Sequence, residues 1–319
     1  MTAPKIVVLG SVNIDLVMHV PRLPSPGETV LGGRFFAVHG GKGANQAVAA
    51  ARAARSPVAF VAALGADRYG QEALASLELE GLLCGHVRVA PDEATGVALI
   101  LVDAEAENLI AVASGANELL STADVDRLPE AWFAPKHVFL TCLESPLTTV
   151  HHALVRARLF GLTTVLNPAP ASEMLPSDVL ELVDVLTPNE HEIAALAGMH
   201  VFDHPSAVAA ARRLQDRGCR QVIVTRGAAG CTVVGDGAAE TSRAVELPAR
   251  AVQAVDTTAA GDAFNGALAV RLAEGASLVE AARWANVAAS ISVTRSGAQP
   301  SLAHRDEIDA ACGDDSLRR

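Results

Sequence analysis

The stretch His137–Asn167, HVFLTCLESPLTTVHHALVRARLFGLTTVLN, carries the reading that decides the fold. Its first residues, His137–Thr141, are apolar and β-prone and predict a strand. Thr148–Leu159 has a helical pattern, and Thr163–Asn167 returns to a short β-branched run. Strand, helix and strand over about thirty residues make a βαβ unit, whose two strands lie parallel in one sheet. The alternation continues in both directions. Further strands are predicted at Ile6–Gly10, Val58–Leu64, Val97–Val102, Leu109–Ala113, Val183–Thr187, Gln221–Thr225 and Cys231–Val234. Helices are predicted at Ala44–Ala54, Gly70–Glu80, His191–Leu196, Ala207–Arg217, Gly261–Glu274 and Leu278–Val293. The pattern predicts a three-layer α/β fold around a mostly parallel sheet. Around Leu16–His39 and Thr95–Ala113 strand-like pieces occur with no long helix between them. These segments predict a small separate sheet, a lid over one end of a single domain spanning residues 1–319.

Composition agrees. Half of the 319 residues are hydrophobic but only 3% are aromatic, so the apolar load is Ala, Val and Leu, the filling of helices on a buried parallel sheet. A net charge of −11, with no Lys/Arg-rich run, opposes nucleic-acid binding. Cys84, Cys142, Cys219, Cys231 and Cys312 lie far apart, which argues against a zinc site or a disulfide framework and fits a reducing cytosol. Lys5 precedes an apolar stretch, but Asn13 and Asp15 interrupt it too early for a secretion signal. No apolar run is long enough to span a bilayer. A soluble cytoplasmic protein is expected, with a frayed tail ending in Arg318 and Arg319.

The strongest chemical signal is Asp256–Gly266, DTTAAGDAFNG. Ala259, Ala260 and Gly261 lead into a helix whose apolar face repeats at Phe264, Leu268 and Leu272. Small residues permit close approach of a ligand, and the first amides of a helix lack internal partners. Such a turn suits a phosphoryl group gathering negative charge. Asp262 stands one residue beyond and can accept the proton of a hydroxyl attacking that group. An isolated Asp at this place would simply satisfy the helix dipole. The Ala-Ala-Gly before it and the Asp-Thr upstream favour the chemical role.

Gly40–Ala47, GGKGANQA, also enters an alanine-rich helix. It could bind phosphate, or Lys42 and Asn45 could meet sugar hydroxyls; plain loop chemistry explains it about as well. The spacing is not that of a Walker A loop, and no GxGxxG is present. Asn13 and Asp15 follow the first strand and Glu144 follows the strand ending at Thr141, where open α/β sheets place their crevice. Each singly also fits an exposed loop residue. Thr225–Gly230, TRGAAG, could lie against a purine or phosphate, or be a turn. Asn189 and Glu192 start a helix and read equally as a cap.

Taken together, DTTAAGDAFNG and GGKGANQA resemble the two signature segments of the phosphofructokinase-B (ribokinase) family of sugar kinases. The resemblance runs from Ile6 to about Ala310. It includes GSVNIDL (Gly10–Leu16), PSPGET (Pro24–Thr29), ATGVALI (Ala94–Ile100), LESP (Leu143–Pro146), NPAPA (Asn167–Ala171), TPNE (Thr187–Glu190) and TRSGAQPS (Thr294–Ser301). It implies a ribokinase-like fold and transfer of the γ-phosphoryl of Mg-ATP to the 5-hydroxyl of ribose. By the same resemblance Asp262 is the base and Ala259, Ala260 and Gly261 the anion hole. Asn13, Asp15, Gly41, Lys42, Asn45 and Glu144 then match the sugar-binding set. Asn189, Glu192, Thr225, Gly227, Gly230, Gly261 and Asn286 match nucleotide, phosphate and magnesium positions. Asp256, Thr258, Ser292, Arg295, Gly297 and Ser301 match an activating potassium site, several of them through backbone carbonyls. A homodimer joined through its lids is also implied. The sequence departs from the family pattern at Arg226, usually apolar, at Ala263, usually Thr, and at Asn286, often His. Deoxyribose, another pentose, a ketohexose or a nucleoside is the alternative acceptor, although few aromatics oppose a nucleoside. A catalytically silent sugar sensor is the rival of another class.

Overall fold

The structure is a computed structural model that describes residues 3–105, 107–170, 175–235 and 244–316. The chain enters through β1 (Ile6–Leu9) and crosses to β2 (Asn13–His19) and β3 (Phe35–Gly40) before α1 (Lys42–Ala53). Next come β4 (Val58–Val61), β5 (Ala63–Gly65), α2 (Arg68–Leu79), β6 (Arg88–Ala90), β7 (Gly96–Val102), β8 (Asn108–Ala113) and α3 (Thr122–Asp126). The βαβ stretch forms as β9 (Val138–Cys142), α4 (Leu147–Leu159) and β10 (Thr163–Asn167). It leads to α5 (Ser177–Leu180), β11 (Val185–Leu186), α6 (Glu190–Ala197), α7 (His204–Gln215), β12 (Gln221–Thr225), β13 (Cys231–Val234) and β14 (Val245–Leu247). Three helices close the chain: α8 (Ala260–Ala273), α9 (Leu278–Ser292) and α10 (Arg305–Ser316).

Eight strands make the main sheet in the order β14-β13-β12-β11-β10-β9-β1-β4. From β4 to β12 every pairing is parallel, and only β13 is reversed, pairing antiparallel with both β12 and β14. The two-residue period of a strand divides the core. Ile6, Val8, Leu140 and Ile223 face α1, α8 and α9, while Val7, Leu9, Phe139 and Val222 face α4, α6 and α7. The sheet is therefore the middle of three layers, as expected. A second sheet, β3-β2-β7-β8, gathers the two helix-poor segments, and its first strand starts as early as Asn13.

Three details differ from the sequence reading. The run Val58–Leu64 is not one strand: β4 stops at Val61, and β5 leaves the main sheet to pair with β6. Burial is complete on both sides of the break, so apolarity alone does not reveal it. Of Val183–Thr187 only Val185–Leu186 is strand. β6, α3, α5, β14 and α10 are elements that periodicity did not disclose. Ala171 of the NPAPA segment and the terminal Arg318 and Arg319 lie outside the described residues.

Candidate active site

The parallel strands end on a common edge, and the polar residues that follow them converge there. Asn167 ends β10, Asn189 follows β11 and Thr225 ends β12; the Thr225 amide donates to Pro188 O at 2.9 Å, binding two of these loops together. Opposite them α8 begins. A cleft of about 200 Å³ between the two sides is lined by Lys42, Asn189, Glu192, Thr225, Ala259, Ala260, Gly261 and Asp262. Asn167, Ala169, Thr187, Thr257 and Asn265 complete its wall, and sequence reasoning missed all five. NPAPA and TPNE flagged two of these neighbourhoods but not which side chains turn inward.

The start of α8 has the features that an anion cradle requires. Ala259, its N-cap, sits in the left-handed region at φ 59°, which costs an alanine roughly 1–2 kcal/mol. Strain of this kind collects at functional sites. The Ala260 amide donates to Thr257 O, whereas the amides of Gly261 and Asp262 have no acceptor among the described residues. A Cβ added at Gly261 would meet nothing within 4 Å, so the space before these amides is open. The other glycine-rich helix start is different. In α1 the amide of Lys42 donates to Glu144 at 3.0 Å, and those of Gly43 and Ala44 donate to Ser11. The first three amides of α1 are thus taken, which opposes a backbone phosphate cradle there like that of α8. Its glycines serve backbone contact instead: Gly41 has φ 89°, and a Cβ at Gly43 would lie 2.4 Å from Ser11 N.

Asp262 is buried yet lines the cleft. Its Oδ2 accepts from Asn45 Nδ2 at 3.0 Å and its Oδ1 from Gln46 Nε2 at 3.0 Å. Burial pushes its pKa up to about 6, against the pull of Lys42 and the two amides. Burial also raises Asp15 to about 6, with Glu144 adding to the effect. Burial disfavours the Lys42 ammonium, but Asp262 and Glu144 more than offset this and hold its pKa above the ordinary value. Glu144 is tied down by Ser11 Oγ at 2.5 Å. Asn13 is buried, and its Oδ1 accepts from Asn117 Nδ2 at 2.9 Å, a partner more than a hundred residues away in sequence. Asp15, Lys42, Asn45 and Glu144 thus lie near the Asp262 carboxylate, and of them only Lys42 lines the cleft. The Asn45 Oδ1 is buried without a donor.

Asn189 and Glu192 form a reciprocal capping box at α6, so the cap reading holds while both residues also face the cleft. Gly227 and Gly230 form the turn between β12 and β13, and a Cβ at Gly230 would strike Leu247 O at 2.1 Å. Neither lines the cleft, nor does Asn286, whose amide donates to Leu247 O at 3.3 Å. Arg226 is buried and turned aside, paired with Glu246 at 2.7 Å. Ala263 is packed in the core.

Asp256 joins the loop before α8 to the loop after α9, accepting from Thr258 N at 2.9 Å and Gly297 N at 2.8 Å. The hydroxyls of Ser292 and Ser301 donate to Ala289 O and Ala298 O, and the Arg295 guanidinium pairs with Glu307. Among the described residues no three His, Cys, Asp or Glu side chains gather as a metal cluster. A single carboxylate among carbonyl-rich loops fits a large monovalent cation better than a transition metal.

A proton acceptor beside an open anion cradle, at the ligand edge of a parallel sheet, is the equipment of a phosphotransferase with an alcohol acceptor. The model of the pfkB family carbohydrate kinases matches residues 3–305, and the chain belongs to that family. It is 44% identical over 300 residues to a ribokinase of Haemophilus influenzae, covering 94% of this chain and 95% of that protein. A deoxyribokinase of Salmonella typhi is 37% identical over 296 residues, with 93% and 94% covered. The structure of Arabidopsis thaliana ribokinase complexed with ribose and ATP superposes with a TM-score of 0.86 at 30% identity, covering 98% of this chain and 99% of that one.

Proposed function

We propose that this protein transfers the γ-phosphoryl group of ATP to the 5-hydroxyl of D-ribose. The observation that carries the reading is Asp262, a buried carboxylate in the wall of the cleft beside the free amides of Gly261 and Asp262. Asp262 takes the proton of the attacking hydroxyl, and the α8 cradle holds the charge that builds on the phosphoryl oxygens. The sugar lies among Asn13, Asp15, Gly41, Lys42, Asn45 and Glu144. The orphaned Asn45 Oδ1 accepts from one of its hydroxyls. Lys42 keeps its charge between carboxylates and steadies the phosphoryl group. Asn189, Glu192 and Thr225 face the phosphates, and Gly227, Gly230 and Asn286 flank the adenosine end.

The Asn189–Glu192 corner would hold a magnesium ion, which would supply charge neutralisation for the phosphates. Asp256 and oxygens of Thr258, Ser292, Arg295, Gly297 and Ser301 would hold a potassium ion, which would supply positive charge near the start of α8. The second sheet serves as the lid. It exposes Phe35, Leu99 and Leu109 on one face and Ile110 and Val112 on the other, apolar surface for a homodimer joined lid to lid. Free buried thiols at Cys84, Cys142, Cys219 and Cys231 fit the cytoplasm, and among the described residues no helix is long and apolar enough to cross a membrane.

ADP release measured over a panel of sugars, with and without potassium, tests the reading. Ribose is expected to give the highest kcat/KM. Deoxyribose is the second candidate, because a deoxyribokinase is similar over 93% of the chain. Asp262→Asn is expected to cut turnover roughly 10²–10⁴-fold while sugar binding by calorimetry persists. Near-normal turnover in that variant would remove Asp262 from the role of base.

A further inference from the structure

We propose that Gln46 is the positioning residue of the proton acceptor: its side-chain amide, braced by Asn167, fixes the Asp262 carboxylate against the acceptor hydroxyl. The proposal rests on the reading of Asp262 as the base.

Gln46 has no exposed surface, and it follows Asn45 on α1. Successive helical residues point about 100° apart, so the two amides reach the carboxylate from different sides. The two N–H bonds of Gln46 Nε2 are both engaged, one to Asp262 Oδ1 at 3.0 Å and the other to Asn167 Oδ1 at 3.1 Å. Asn167 is itself anchored, donating to Thr187 O at 3.0 Å. The Thr187 hydroxyl donates to Asn265 Oδ1 at 2.6 Å, and Asn265 Nδ2 donates to Gly261 O at 2.8 Å. The chain of bonds that begins at the base therefore ends at the backbone of the cradle. Base and cradle share one frame.

The opposite end of the same side chain shows why an amide is needed. Gln46 Oε1 is buried with no donor, so the position bears the cost of an unsatisfied acceptor that an apolar residue would avoid. What the glutamine provides is its pair of donors. The one that reaches Asp262 Oδ1 favours the charged form of a carboxylate whose burial favours the neutral one, and the other braces it against Asn167. The other titratable groups facing Asp262 are Lys42 on α1, Glu144 and Cys142 at the end of β9, and Asp15 on β2. Only Lys42 among them supports the carboxylate. Losing the Gln46 donor thus shifts the balance toward the protonated acid, which cannot act as base.

The test is the pH dependence of turnover in full-length Gln46→Met, which keeps length and apolar volume but has no donor. The acidic limb of kcat is expected to move up by about one pH unit, with KM for the sugar within about twofold. Placed in Asp262→Asn, the same substitution is expected to add no further loss. Gln46→Asn withdraws the amide by one methylene and should shift the limb in the same direction if the methionine variant does not fold. A limb that stays in place, or a kcat lowered by one factor at every pH, overturns the role of Gln46 and leaves Asp262 as base. Near-normal turnover of Asp262→Asn alone overturns the base reading beneath it.

Discussion

Asp262 carries two opposed influences, and their balance defines its working range. Burial favours the protonated acid, while Lys42, Asn45 and Gln46 favour the carboxylate, with the result near pH 6. A base acts only when deprotonated. Turnover is therefore expected to fall about tenfold per unit as pH drops below about 6 and to level off above it. A kcat profile at saturating sugar and ATP between pH 4.5 and 8 checks this, and a flat profile through pH 5 contradicts it. Asp262 was legible in the sequence because it follows Ala-Ala-Gly at the mouth of a helix. Its two amide partners lie more than two hundred residues earlier in the chain, so no local pattern could pair them. Arg226 shows the reverse. As a departure from the family pattern it draws attention, yet it is folded away against Glu246.

The contact between α1 and α8 sets the distance between Asp262 and the amides of Asn45 and Gln46. Gly266 lies on the face of α8 that meets α1, where an added Cβ would fall 2.5 Å from Ala49 Cβ and 2.7 Å from both Ala50 N and Gln46 O. Two of these three neighbours are backbone and cannot swing away. The poly-alanine character of α1 is the counterpart of this glycine, since small residues on both helices allow the backbones to approach. Gly266→Val is expected to force the helices apart, costing about 1–3 kcal/mol in thermal or urea unfolding. Lengthening the Asn45 and Gln46 bonds to Asp262 should lower kcat in the same variant. Unchanged stability and turnover would show that the spacing has slack. The helices themselves were evident from their apolar repeat. Which of their glycines serve packing and which serve a ligand was not, because a glycine looks the same in sequence whether its missing Cβ faces a neighbour or an open cleft.

Across the whole molecule, the second sheet stands apart from the main one and presents apolar residues on both faces, with Phe35, Leu99, Leu109, Ile110 and Val112 all more than half exposed. Opposed residues of β7 and β8 alternate faces, so Leu99 and Ile110 lie on different sides of it. If two lids pack together, Leu99→Glu with Ile110→Glu is expected to convert a dimer to a monomer in analytical ultracentrifugation. A monomer in the unaltered protein would remove the dimer from the account. Asp15 belongs to the same sheet and faces the site, so loss of the lid contact is also expected to raise KM for the sugar more than it lowers kcat. The separate sheet was legible because two segments lacked helices, whereas its pairing order β3-β2-β7-β8 depends on which edges meet in space.

By itself the sequence determined what depends on neighbours along the chain. The strand and helix periods, the layer order they imply, and the small-residue turn into Asp262 are all local, and they survived folding except where Val58–Leu64 broke and Val183–Thr187 shortened. Tertiary structure decided what depends on residues distant in sequence. It turned one glycine-rich helix start into satisfied backbone packing and left the other with open amides. It also joined Gln46, Asn167, Thr187 and Asn265 into the frame around the base. Hydrogen bonding and burial are properties of position in space, and the chain states them only once it has closed on itself.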